Sequence, residues 1–85
     1  MRILWHENAW DDYCAWQTQD KKTLKKLNAL IKDIQRSPFD GIGKPEPLKE
    51  NLSVWWSRRI DDANRIVYKQ EGENIIIAAC KGHYE

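Results

Sequence analysis

The sequence predicts an α+β fold in one domain over residues 1–85: an N-terminal strand, then two helices packed on an antiparallel sheet. Three observations point there. Two apolar patterns of helical period run back to back between Glu7 and Arg36. Three segments rich in Val, Ile, Trp and Tyr follow residue 53, and a stretch holding all three prolines separates the two sets. Eighty-five residues can barely close one core, which excludes a second domain.

Met1–His6 reads as a short strand offering Ile3 and Leu4 to a core. From Glu7 to about Gln19, Trp10, Tyr13, Cys14 and Trp16 or Gln17 recur at helical spacing, with acidic residues in the first turns where the helix dipole favours them. Asp20 can cap a second helix whose stripe is Leu24, Leu27, Leu30, Ile31 and Ile34, with lysines on its other faces. Ser37-Pro38 ends it. Residues 38–53 hold the three prolines and two of the four glycines, which excludes regular structure there and leaves a long connection of the kind usually kept for function. Val54–Ile60, Arg65–Gln70 and Asn74–Lys81 read as strands joined by the short turns Asp61–Asn64 and Glu71–Glu73, hence an antiparallel meander.

Composition removes several classes of function. Five Trp, three Tyr and one Phe are an aromatic load that disordered chains lack. No run approaches the roughly 20 apolar residues of a membrane span, so no membrane role is expected. Met1–Glu7 lacks the apolar stretch and cleavage site of a secretory signal, and a cytoplasmic location is expected. Cys14 and Cys80 form no Cys-x-x-Cys pair and read as reduced core residues. With His6 and His83 they show no metal-ligand spacing, so neither metal nor cofactor is expected.

The net charge of +1 weighs against a nucleic-acid protein until its distribution is followed. Residues 1–20 balance to −3, residues 21–36 to +5 and residues 51–70 to +2. Ordinary solvated surface explains such a pattern as well as an anionic partner does.

The chemistry-bearing candidates are few. In Lys44-Pro45-Glu46-Pro47-Leu48-Lys49, two prolines stiffen the backbone around Glu46, which suits a positioned base near an anionic substrate; taken alone, a solvated glutamate in a rigid turn is the favoured reading. His83, followed by Tyr84, carries a proton transferable near neutral pH, although terminal residues are ordinarily idle. Arg58, Arg59 and Arg65 sit on adjacent strands. Alternation puts Arg58 with Trp56 and Ile60 and Arg59 with Trp55 and Ser57, so at least one arginine faces the open side, where it suits phosphate beside a stacking Trp.

Together these stretches resemble the YoeB-type toxins of bacterial toxin–antitoxin modules, within the RelE-like superfamily. The carrying segments are Trp10-Asp11-Asp12-Tyr13, Leu30-Ile31-Lys32-Asp33, Gly43 to Lys49, Asn51-Leu52-Ser53, Trp56-Ser57-Arg58-Arg59-Ile60, Arg65-Ile66-Val67-Tyr68, and Ala78-Ala79-Cys80 with His83-Tyr84. The resemblance implies a microbial-RNase-like fold of the RelE type and a metal-independent endoribonuclease. Such an enzyme cuts messenger RNA in the A site of the 70S ribosome and is neutralised by a cognate YefM-type antitoxin. It further implies Glu46 as general base, Arg65 as the cation that stabilises the transition state and His83 as general acid. Tyr84, Lys49, Arg59 and Lys44 would orient substrate or bind phosphate. Relatives commonly finish at the His-Tyr pair. Here Glu85 follows, and its carboxylate is expected to raise the His83 pKa, while Lys81-Gly82 is expected to make the tail more flexible than a bulky residue would.

Two other classes of function stay open: a non-catalytic toxin that binds a protein target in the manner of ParE-like relatives, and an RNA-binding module that masks the A site without cutting. Trp55, Trp56 and the first-helix aromatics could serve a homodimer or an antitoxin surface as well as a core.

Overall fold

Trp5 is followed by His6 in extended conformation, and from Glu7 the apolar positions change from strand to helical period. A computed structural model describes residues 1–49 and 54–82. Its elements are β1 (Arg2–Trp5), α1 (Glu7–Gln19), α2 (Lys21–Arg36), β2 (Glu46–Pro47), β3 (Trp56–Arg59), β4 (Arg65–Glu71) and β5 (Asn74–Ala79).

Asp20 separates the helices and starts the second one. Its Oδ1 accepts the N–H groups of Lys22 and Thr23 and its Oδ2 accepts the Thr23 hydroxyl at 2.8 Å, satisfying donors that a helix start leaves open. Those Thr23 and Lys22 bonds hold the Asp20 carboxyl below its ordinary pKa. On α2, Leu27, Leu30 and Ile34 are fully buried, while Lys21, Lys22, Lys25, Lys26 and Lys32 stay exposed. Each buried aliphatic side chain contributes on the order of 1.5–3 kcal/mol. Ser37 ends the helix, its N–H bonded to the Asp33 carbonyl at 2.8 Å.

The five strands form one sheet in the order β1-β5-β4-β3-β2. The expected meander is present as antiparallel β3-β4-β5, but the sheet as a whole is mixed, because β1 joins β5 in parallel with Arg2 opposite Asn74 and Trp5 opposite Ile77. The helices pack on one face over Ile66, Tyr68, Ile75 and Ile77. A smaller cluster of Leu48, Val67 and Ala79, flanked by Trp55, occupies the other face. Between Val67 and Tyr68 the β4–β5 register shifts, so that Ala79 and Ile77, two residues apart, face neighbouring residues of β4.

Several expectations need correction. Leu4, a core candidate with Ile3, is exposed. The stretch over residues 38–53 is not wholly irregular, since Glu46 and Pro47 pair with Ser57 and Trp56 as a two-residue edge strand. Proline is tolerated there because an edge residue need not donate to the ladder. The strand expected from Val54 begins at Trp56, with Val54 exposed in a turn. Cys14 is exposed and only Cys80 is a core residue. Burial pushes the Cys80 thiol up to about 12, and its Sγ lies 3.4 Å from the Ala9 carbonyl. An aromatic disulfide reagent is therefore expected to modify Cys14 alone in the folded protein and both cysteines after denaturation; two rapidly reacting thiols in the native state would contradict this packing.

Candidate active site on the open sheet face

Two backbone constraints deliver Glu46 to the sheet. Gly43 adopts φ 78°, and a Cβ there would lie 2.6 Å from the Leu30 side chain, so the chain passes close to α2 only because this residue is glycine. Its carbonyl accepts the Arg59 N–H at 2.7 Å, aligning the following residues with β3. Lys44, exposed and also at positive φ of 52°, completes the turn, after which Pro45 and Pro47 bracket Glu46.

The sheet register then gathers the site. Glu46 lies opposite Ser57, Ser57 opposite Val67, and Arg59 opposite Arg65, all on the face away from the helices. Arg65 Nη1 donates to Glu46 Oε1 at 3.1 Å and to the Ser57 hydroxyl at 3.3 Å. Arg59 donates to Asp62. Two guanidinium groups on directly paired residues repel each other, and each is held by its own carboxylate. Both pairs reach solvent, with the Glu46 side chain 59% and the Arg65 side chain 20% exposed, so each contributes no more than about 1 kcal/mol and separates readily.

Farther along the same face, Trp55 lies under the Lys69 ammonium, 4.8 Å from the ring centroid, with His6 edge-on to it at 5.7 Å. Lys49 is exposed beyond Leu48. Lys44 and Lys49 thus flank the edge strand in sequence on either side of Glu46. His83, Tyr84 and Glu85 lie outside the described residues, as do Asn51, Leu52 and Ser53. The residue before His83 is described: Gly82 accepts the Arg65 N–H at 2.9 Å and donates its own N–H to Asn64 Oδ1 at 2.8 Å. Among the described residues, no group of three or more His, Cys, Asp or Glu side chains is arranged to hold a metal ion.

Arg58 departs from the expected site chemistry. It points to the helix side, is fully buried, and uses all five guanidinium donors within the fold. Nε donates to the Tyr68 hydroxyl at 3.1 Å, Nη1 to Asp33 Oδ2 at 2.5 Å and the Ile42 carbonyl at 3.1 Å, and Nη2 to the carbonyls of Ser37 and Asp40 at 2.6 and 3.0 Å. Tyr68 in turn donates to the Pro38 carbonyl at 2.6 Å. Arg36, Arg58 and the Ile42 N–H hold the Asp33 carboxyl well below the usual carboxylate range. This hub suspends residues 37–42, the lead-in to Glu46, from β3. The sequence signal for it was Asp33, the lone acid in the lysine-rich segment, lying beside Ile34 and three residues from Leu30 on the apolar stripe.

The family described as YoeB-like toxin of bacterial type II toxin-antitoxin system matches residues 5–84. Toxin YoeB of Escherichia coli (strain K12) is 55% identical over 84 residues, covering 99% of this chain and 100% of that protein. Among solved structures, the YoeB dimer from Staphylococcus aureus is similar with a TM-score of 0.92 and 46% identity, covering 99% of this chain and 98% of that one. The heterotetrameric YoeB-YefM toxin-antitoxin complex from the same organism is similar with a TM-score of 0.90 at 46% identity and the same coverage.

Proposed function

We propose that this chain, which belongs to the YoeB-like toxins of bacterial type II toxin–antitoxin systems, is a ribosome-dependent endonuclease that cuts messenger RNA in the A site and so halts translation. The observation that carries the reading is the solvent-reaching Glu46–Arg65 pair at 3.1 Å, with Arg59 on the residue paired to Arg65. A carboxylate that can accept a proton sits beside two guanidinium groups that can exchange weak partners for a phosphate.

In the proposed reaction Glu46 takes the proton of a ribose 2′-OH. The oxygen forms a bond to the adjacent phosphorus as the bond from phosphorus to the 5′-oxygen of the next nucleotide breaks. Arg65 turns from Glu46 to the phosphate oxygens as charge develops on them. His83 gives its proton to the departing 5′-oxygen, leaving a 2′,3′-cyclic phosphate on one fragment and a 5′-hydroxyl on the other. Tyr84 orients the scissile nucleotide, and Lys44, Lys49 and Arg59 bind flanking phosphates. No step in this sequence calls for a metal or cofactor.

The toxin works in the cytoplasm, where ribosomes are, and a YefM-type antitoxin neutralises it. The Staphylococcus aureus relatives, solved as a dimer and as a complex with YefM, support both that partner and self-pairing. The exposed lysines of α2 suit capture by an acidic segment.

Mapping transcript ends after brief expression tests the reading. New 3′ ends are expected at codons occupying the A site, and naked RNA should be cut far more slowly. Arrested translation without new ends would favour masking of the A site, and growth arrest with translation intact a protein target.

A further inference from the structure

The turn between β3 and β4 is built around one carboxylate. Asp61 Oδ1 accepts the N–H groups of Ala63 and Asn64 at 2.8 and 2.7 Å, and its two oxygens accept the Asn64 side-chain amide at 3.0 and 3.1 Å. Burial pushes the Asp61 carboxyl up, but the Ala63 and Asn64 bonds outweigh it and leave its pKa below the ordinary value. The Asn64 carbonyl meanwhile accepts the Ile60 and Asp61 N–H groups at 2.9 and 3.2 Å, closing the turn.

This leaves Asn64 one side-chain atom directed away from the turn. Its Oδ1 accepts the Gly82 N–H at 2.8 Å. The orientation of the amide follows from its partners: a carboxylate on one side can only accept, and a backbone N–H on the other can only donate. The next residue, Arg65, gives its N–H to the Gly82 carbonyl at 2.9 Å. Gly82 is thus held at both polar backbone groups, in the left-handed conformation at φ 87° that glycine adopts without strain. A Cβ there would meet none of the described residues within 4 Å, so among them conformation and not space favours glycine.

We propose that Asn64 is a positioning residue for the RNA-cleaving reaction: it latches Gly82, the residue before His83, to the strand start that carries Arg65. The inference rests on the assignment of His83 as general acid. A latch on Gly82 matters because displacement of a reacting group by about 1 Å lowers rates by up to about 10²-fold.

The test uses the full chain with ribosomes carrying a defined message. Asn64→Ala is expected to lower the single-turnover cleavage rate about tenfold while ribosome affinity and melting temperature stay unchanged and hydrogen exchange at the Gly82 amide accelerates. Asn64→Asp combined with Asp61→Asn keeps an acceptor at position 64, moves the amide donor to position 61, and is expected to restore both rate and protection. Undiminished cutting by Asn64→Ala with faster Gly82 exchange overturns the proposal, as does exchange that does not change. If Asn64→Ala melts below the assay temperature, a folded double variant that still cuts slowly overturns it. His83→Ala run in parallel separates the two levels. If that variant is inactive and Asn64→Ala unimpaired, the latch alone fails; if His83→Ala is fully active, the acid assignment fails and the latch with it.

Discussion

Glu46→Ala is expected to reduce ribosome-dependent transcript cleavage by 10²- to 10⁴-fold, the range for loss of a general base, with folding unaffected. The two halves of that expectation have separate grounds. Glu46 is mostly solvent-exposed and its bond to Arg65 is an exposed ion pair, so its loss costs little stability. The β2 backbone keeps its pairing to Ser57 and Trp56. Glu46→Gln sharpens the result, because an amide retains an oxygen for the 3.1 Å bond from Arg65 yet cannot take a proton from a 2′-OH. Base catalysis makes the two variants equally poor. A glutamine variant that cuts at the normal rate would reduce Glu46 to a tether for Arg65 and remove it from the chemistry.

Arg58→Ala is expected to destabilise the fold by about 3–5 kcal/mol, the effect of removing one partner from a buried ion pair. Five donors vanish together, leaving the Asp33 carboxylate without its buried cation and the Ser37, Asp40 and Ile42 carbonyls without that donor. For a domain this size, each 1 kcal/mol moves the melting temperature by roughly 4–8 °C, so the variant should melt tens of degrees earlier. Arg58→Lys should not rescue it, since one ammonium offers three donors and cannot reproduce the planar fork. A pH titration adds a signed test. Asp33 has a depressed folded-state pKa, so its contribution is complete above the unfolded value near 4 and is lost as pH falls through and below it. Wild type should weaken in acid below about pH 5, and Asp33→Asn should weaken less steeply. A variant at Arg58 that melts like the wild type would show that the hub holds nothing.

Much of this architecture was legible in the residues. The bounds of α1 and α2 follow from helical periodicity meeting two punctuation marks, Asp20 and Ser37-Pro38, whose physics is local. The meander follows from β-branched runs with short turns between them. What escaped was non-local. Pro45 and Pro47 made residues 38–53 look irregular, because whether proline sits in a loop or on a sheet edge depends on a neighbour 11 residues away, Ser57 opposite Glu46. The facing of Arg58 was undecided, as alternation left both arginines beside a tryptophan; it is settled by Asp33 on another element. The grouping of Glu46 with Arg65 is likewise a product of register; both were candidates from the residues themselves, whereas their roles as base and transition-state cation came from resemblance to a family. Asn64 gave no signal, since a turn asparagine ordinarily serves its own turn.

The parallel pairing of β1 with β5 has a consequence for how the molecule comes into being. Arg2 pairs with Asn74, and the His6 N–H bonds to the Ile77 carbonyl at 2.9 Å. β1 therefore has no sheet partner until β5, which follows every other described strand, has been made. Contacts this distant along the chain form slowly, because loop closure must precede any reward from pairing. The helical hairpin can assemble early from local contacts, but the sheet face carrying Glu46 and Arg65 is completed only once β4 has neighbours on both sides. The surface that brings the Glu46 carboxylate to the Arg65 guanidinium is thereby a late product of folding, dependent on pairing between strands far apart in the chain.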